Sequence, residues 1–390
     1  MKILYLTFYY TPDLSAGSFR NTALIDELAH QLHPDDQIDV FTAMPNRYQT
    51  YQVPASEFEK KANIAISRIK IPSHKSDMKG QIISFIRFFF EVNKRVNISD
   101  YDLVYASSSR LFTALLGAFL ARKKRLPLYL DIRDIFKESI LDVFGERWFT
   151  GILSFFLTQL EKYTFGYASH INLVSEGFRP YFESYTNAQF SYFTNGIDKE
   201  FINRKTFNTA SPNSVKTILY AGNMGEGQGL HLVVPQIAKS LGEAYQFVLI
   251  GDGGAKNKLQ KVLSDEQITN VQLLDPMPRR DLIQEYEKAD FLFLHLNTLQ
   301  AFERVLPSKI FEYACFDTPI IAGVGGYASK FIQENVSNSI VFPTGNYQDF
   351  LTKFHQYSYQ KEERKGFKHQ YQRETINQQM AKSIIVYAKK

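Results

Sequence analysis

Short apolar runs recur along the whole chain, and between most of them lies a stretch long and periodic enough for a helix. In the first half the runs fall at 3–7, 38–42, 65–69, 103–106, 128–130, 171–174 and 190–194, and in the second at 217–221, 247–250, 271–274, 291–296, 320–322 and 339–341. Runs of this length without polar alternation suit strands buried on both faces. Parallel strands need a crossover, usually a helix, so the alternation predicts an α/β chain of doubly wound parallel sheets covered on both sides. Asn208, Thr209, Ser211, Pro212, Asn213 and Ser214 interrupt the pattern as a turn-rich linker. With 390 residues the chain suits two domains. The reading is a Rossmann-like domain over 1–205, a linker over 206–214, a second Rossmann-like domain over 215–365, and a helix over 366–390 expected to pack back on the first domain. Ligands of open α/β sheets bind beyond the carboxyl ends of the strands, so the two sheets are expected to meet a ligand at one central cleft.

The segment 301–321 carries the clearest chemistry. Pro307 suits the first turn of a helix that follows the apolar run 291–296, and Ser308, Lys309 and Glu312 then share one helical face. A helix start favours an anion, Lys309 adds a full charge, and the Glu312 carboxylate accepts hydrogen bonds from sugar hydroxyls. The segment therefore reads as a phosphate and ribose clamp. The competing reading is a plain helix start with a Lys309–Glu312 surface pair, but Glu312 stands among Ile310, Phe311, Tyr313, Ala314, Cys315 and Phe316, where an unpaired carboxylate is costly.

Gly222-Asn223-Met224-Gly225-Glu226-Gly227-Gln228-Gly229 follows a strand and opens a helix, so its backbone can approach a phosphate closely. It is not the G-x-G-x-x-G of dinucleotide enzymes. Gly251-Asp252-Gly253-Gly254 closes the next strand as a nucleotide-edge loop or a tight turn. In the first half, Gly17 and Arg20 follow strand one, as acceptor-side ligand contacts or an ordinary turn with a solvated arginine. Asp131, Arg133 and Asp134 stand at a strand exit; an internal ion pair accounts for Arg133 and one carboxylate, leaving the other to bind acceptor hydroxyls or take a proton. Asp100-Tyr101-Asp102 imitates a metal motif of some sugar transferases, but it precedes its strand and is read as structural. No metal-ligating His or Cys spacing, P-loop or G-x-S-x-G occurs, so no metal and no cofactor is expected.

The net charge of +5 is mild and has no basic tail, which argues against a nucleic-acid partner. Cys315 is the single cysteine, a weak sign of a reducing compartment. Residues 1–7 enter a strand directly, without a leader, and no apolar run approaches the about 18 residues of a spanning helix, so a cytoplasmic location is expected. Two aromatic segments carry basic residues: 82–92, with Phe85, Phe88, Phe89 and Phe90 near Arg87, Lys94 and Arg95, and 148–165, with Trp148, Phe149, Phe155 and Phe156 near Arg147 and Lys162. Each is either core or a surface that meets a membrane.

In this order the pieces resemble the retaining nucleotide-sugar glycosyltransferases of the large bacterial family 4, over nearly the whole chain. The carriers are the loop 10–20, Ser175-Glu176-Gly177, Asn195-Gly196-Ile197-Asp198, and Glu312 followed by Thr318-Pro319. Pro307-Ser308-Lys309-Ile310-Phe311-Glu312-Tyr313 with Tyr220-Ala221-Gly222-Asn223-Met224-Gly225 looks most like the O-antigen and capsule branch, including N-acetylfucosamine transferases. The resemblance implies the GT-B fold and transfer of a sugar with retention from a nucleotide diphosphate donor, UDP-N-acetylfucosamine-like, to a hydroxyl of a polyprenyl-diphosphate-linked or surface-polysaccharide glycan at the inner face of the membrane. It assigns Gly222, Asn223, Gly225, Gln228, Gly251, Ser308, Lys309 and Glu312 to the donor, Gly17, Arg20 and Asp131 to the acceptor, and Lys309, Glu303 and Asp134 to catalysis, without a metal. The sequence departs from the family in two places: Asn223 and Gln228 stand where Arg and Lys are common, and Glu303 and Glu312 are spaced one residue wider than the usual pair. A nucleotide-sugar epimerase on the same fold and a non-catalytic nucleotide-sugar-binding scaffold are the alternatives.

Overall fold

The computed structural model describes residues 1–13, 15–46, 54–72, 78–108, 111–135, 137–138, 140–141, 150–202 and 215–389. They form two compact units, one of Met1–Gly196 with Arg373–Lys390 and one of Ile197–Gln372. The stretch 206–214, expected as the linker, lies outside the described residues. The second unit begins earlier than the expected 215 because Ile197 and Phe201 already belong to its core, and the Ile197 N–H donates to the Tyr371 carbonyl at 2.7 Å.

The first unit is built on strands β1 (Lys2–Thr7), β2 (Gln37–Ala43), β3 (Phe58–Lys61), β4 (Ile64–Ile69), β5 (Leu103–Ser108), β6 (Leu128–Ile132), β7 (His170–Leu173) and β8 (Gln189–Ser191), in the order β3-β4-β2-β1-β5-β6-β7-β8. All pairings are parallel except β3 with β4. The fully exposed edge strand β3, with Glu59, Lys60 and Lys61, has no apolar pattern to announce it and carries the charge that blunts a sheet edge. Tyr5, Tyr105 and Tyr129 are register partners on β1, β5 and β6, and their rings stack at 4.3 and 5.6 Å between neighbouring centroids. On that face lie the helices Ala16–Gln31 and Arg373–Ala388, which pack on each other, so the expected tail joins the first unit only from Arg373; residues 366–372 stay with the second, where Phe367 is core. The Ser15 hydroxyl caps the first of them by accepting the Ser18 N–H at 3.1 Å.

The opposite face carries the helices Met78–Arg95, Leu111–Lys124 and Thr150–Phe165. The middle one touches both neighbours and rests Gly117 against Val104, Ala106 and Leu128. Of the aromatic residues on the first helix, Phe85 and Phe88 are buried against Phe8 as core, whereas Phe90 points outward. Arg147, Trp148 and Phe149 lie outside the described residues. Asp102 accepts the Lys2 amide at 2.7 Å, in keeping with its reading as structural.

The second unit is an all-parallel sheet of β9 (Lys216–Asn223), β10 (Tyr245–Asp252), β11 (Val271–Leu274), β12 (Phe291–His295), β13 (Ile320–Gly323) and β14 (Ser339–Phe342), ordered β11-β10-β9-β12-β13-β14. Strand order reverses between β9 and β12. This is a topological switch point, and the carboxyl ends there, at Asn223, Asp252 and His295, are where a ligand crevice forms.

Candidate functional site

At the end of β9 the backbone turns through Gly222 at φ 147°, a conformation side chains rarely adopt, and a Cβ there would lie 2.3 Å from Lys309 Cε and 2.8 Å from its Nζ. The lysine stem thus lies directly on the glycine. Gly251 (φ 145°) is the register partner of Gly222 on β10, and a Cβ on it would meet the Gly222 carbonyl oxygen at 1.8 Å. Glycine at 251 is a condition of the two strand ends closing together, and glycine at 222 is a condition of the lysine lying where it does. The loops beyond are zipped as well, because the Met224 N–H donates to the Asp252 carbonyl and the Ala255 N–H to that of Met224.

Lys309 opens the helix Lys309–Tyr313, partly buried, and its ammonium has no hydrogen bond or ion pair among the described residues. Burial lowers its pKa, opposed by the Glu312 charge and reinforced by that of Arg279. Partial desolvation of a cation whose neighbouring counter-charge, Glu312, makes no salt bridge with it has a cost, and an incoming anion relieves that cost. The Glu312 carboxylate accepts from the Tyr286 hydroxyl at 3.3 Å and forms no salt bridge with Lys309, so the surface-pair reading of this helix is set aside. The helix has five residues and no side-chain cap at Ser308. So short a helix adds little dipole, and the point charge of Lys309 is the main electrostatic term, which corrects the emphasis placed on the helix start.

Asn223 and Gln228 mainly build the glycine loop. The Asn223 amide donates to Gln228 Oε1 at 2.7 Å, and the Gly225 N–H donates to the same oxygen at 3.2 Å. This bracket holds the backbone open at Gly225 and leaves Gln228 Oε1 engaged, so the two residues act on a ligand chiefly through loop shape. His295 anchors the loop from β12. Its Nδ1 faces the Gln228 carbonyl at 2.7 Å and its Nε2 accepts the Gly345 N–H at 3.0 Å, which fixes the neutral tautomer protonated on Nδ1. Burial brings its pKa down to about 4.

Three contributors were missed in the sequence. Arg279, at the start of the helix Arg279–Lys288, pairs with Asp198 and at 3.3 Å with Glu200, and lies over the Phe201 ring at 4.7 Å. Burial alone would lower its pKa, but Asp198, Glu312 and Glu200 raise it. Tyr286 from the same helix and His295 complete the group. None sits in a motif; only the Asn195-Gly196-Ile197-Asp198 element signalled part of it, through Asp198.

Glu303 follows Phe302, whose ring lies against Gly227 of the glycine loop. Its exposed carboxylate lies against Gly325 and Gly326 at the start of the helix Gly326–Asn335 and faces a cavity of about 550 Å³ with Thr298, Ser329, Lys330 and Lys353. None of Gly222, Ser308, Lys309 or Glu312 lines that cavity.

In the first unit the structure corrects two expectations. Arg20 and Asp131 are 1% and 0% exposed and form a two-point ion pair, with Nε–Oδ2 and Nη2–Oδ1 both at 3.1 Å. Arg20 also donates to the Phe193 and Thr194 carbonyls, while Asn172 and Ser107 donate to Asp131. Both side chains are consumed in the core, so neither faces an acceptor. The ion pair anticipated for Arg133 thus belongs to Arg20; Arg133 instead presses its guanidinium on Gly17, where a Cβ would lie 2.1 Å from Nη1. Asp134 is exposed just past the end of β6.

Two α/β units built on parallel sheets of this make are those of the GT-B class of fold. Over 100% of both chains the structure superposes on sucrose-phosphate synthase from Thermosynechococcus elongatus with a TM-score of 0.73 at 12% identity. Over 99% of both chains it superposes on Anabaena HepE, solved with UDP and glucose, with a TM-score of 0.67 at 17% identity. Residues 201–374 match the family glycosyl transferases group 1. A stretch of 117 residues is 34% identical to WcaI of Escherichia coli (strain K12), which is named for glycosyl transfer in colanic acid biosynthesis. That match spans 30% of this chain and 26% of the relative.

Proposed function

We propose that the chain is a retaining glycosyltransferase that moves a sugar from a UDP-sugar, of the UDP-N-acetylfucosamine kind, to a hydroxyl of a polyprenyl-diphosphate-linked glycan at the cytoplasmic face of the membrane. The carrying observation is the Lys309 ammonium, desolvated and unpaired, lying on Gly222 at the switch point of the unit that matches glycosyl transferases group 1. Negative charge grows on the diphosphate as the glycosidic bond breaks, and Lys309 meets it while Gly222, Gly225 and Gly251 admit the phosphates to the backbone. Glu312, held by Tyr286, takes the ribose hydroxyls, and Ser308 borders the diphosphate. Glu303 contacts the donor sugar from its cavity, and Asp134 serves the acceptor hydroxyl. The HepE complex with UDP and glucose supports a UDP-sugar donor by analogy of fold.

The test is a thermal-shift screen across UDP-, GDP- and dTDP-sugars followed by turnover with and without a lipid-linked acceptor. A UDP-sugar should stabilise the protein, and sugar transfer should require acceptor. Interconversion of the donor without acceptor would instead make the protein an epimerase, and binding without turnover a scaffold.

A further inference from the structure

The outward face formed by the helices Met78–Arg95, Leu111–Lys124 and Thr150–Phe165 combines two properties that a soluble surface seldom combines. Phe90, Phe155 and Phe156 are 64%, 60% and 61% exposed, joined by Ile83, Ile86 and Ile152. Exposed large apolar side chains gathered on neighbouring elements mark an interaction surface. The middle helix joins the outer two: its half-buried Phe119 packs on Phe89 at 5.3 Å between centroids, and Phe89 in turn meets Phe90.

Residues 78–95, 111–125 and 150–165 hold nine basic side chains against two acidic ones, a larger excess than the +5 of the whole chain. One of the two acids, Glu161, is buried, and the other, Glu91, pairs with Arg95. The cations rest their stems on aromatic rings, with Arg122 over Tyr163 at 4.4 Å and Lys123 over Phe119 at 4.6 Å. Side chains so placed keep the charged head at the level of lipid headgroups while the apolar body goes deeper. Among the described residues no helix is long and apolar enough to cross a membrane, so the contact would be with a surface.

We propose that this three-helix face docks on an anionic bilayer, with Phe90, Phe155 and Phe156 entering the headgroup boundary and Arg122, Lys123, Lys124 and Arg125 meeting anionic lipid. The charge excess decides for lipid over a second copy of the chain, because two such faces would repel. The proposal extends the lipid-linked acceptor reading, and its test uses neither donor nor acceptor, so the two can fail separately.

The full-length protein is sedimented with vesicles of phosphatidylcholine alone or mixed with phosphatidylglycerol, at about 0.05 and about 0.5 M salt. Binding to the anionic vesicles should fall at least tenfold at high salt or without phosphatidylglycerol. It should also fall at least tenfold in Phe90→Ser/Phe155→Ser/Phe156→Ser and in Lys124→Glu/Arg125→Glu, with Tm unchanged because these side chains are exposed. Wild-type protein left in the supernatant, or pelleting indifferent to both variants, overturns the proposal. So does a concentration-dependent dimer in sedimentation velocity that the serine variant abolishes, since a second copy would then cover the face.

Discussion

Replacing Lys309 by methionine removes the ammonium and keeps a stem of similar length on Gly222. If the ammonium meets charge that develops on the departing diphosphate, its loss costs about 3 to 4 kcal/mol of transition-state stabilisation, or roughly 10² to 10³ in kcat/KM. Stability should respond the other way. Lys309 is desolvated and makes no hydrogen bond or ion pair among the described residues, so deleting the charge relieves a burial cost, and Tm should hold or rise. Because burial lowers its folded pKa below 10.5, the folded protein binds fewer protons there than the unfolded chain. Wild-type stability should therefore rise with pH as 10.5 is approached, and Lys309→Met should lose that slope. The assay is the initial rate of nucleoside diphosphate release with donor and acceptor, beside thermal unfolding at several pH values. A folded Lys309→Met protein with near-normal turnover would refute the clamp. A fall in Tm of many degrees would show a structural cation, and the lost-slope argument would fail with it.

Gly222→Ala should lower stability by about 1 to 3 kcal/mol and depress turnover, since its Cβ falls on Lys309 Cε and its φ is strained; unfolding and rate measured together check this. Glu161 is 4% exposed, and burial raises its pKa to about 7 although the Tyr181 hydroxyl donates to both its oxygens at 2.7 Å. The folded state then holds a proton that the unfolded chain releases near 4.5, so stability falls as pH rises from about 4.5 to 7, by about 3 kcal/mol in all. Glu161→Gln should flatten that dependence in denaturant titrations between pH 5 and 8, and an unchanged slope would exclude Glu161 as its source. With Lys309 carrying the diphosphate charge, excess EDTA should leave transfer unaffected; loss of activity restored by magnesium or manganese would contradict that assignment.

The local sequence determined the alternation of strand and helix, because burial on both faces of a parallel strand leaves a short continuous apolar run, and its length and regular recurrence set it apart from a buried helix segment. It also located Gly222, Lys309 and Glu312, since a glycine after a strand and a charged face on an apolar helix are features of a few adjacent residues. The partnership of side chains far apart in the chain was settled only by tertiary structure. Arg20 and Asp131 look like ligand contacts beside their strand ends, yet packing brings them together at 3.1 Å and buries both. Arg279 and Tyr286 carry no motif and reach Asp198 and Glu312 only because their helix folds beside the helix Lys309–Tyr313. The aromatic run 85–90 shows the same division. Its composition was open to core or surface, and the rotation of one helix on the sheet buried Phe85 and Phe88 while turning Phe90 outward. Periodicity is written in neighbouring residues, whereas a pairing across many residues exists only once the sheet has fixed which strand ends and helices are adjacent.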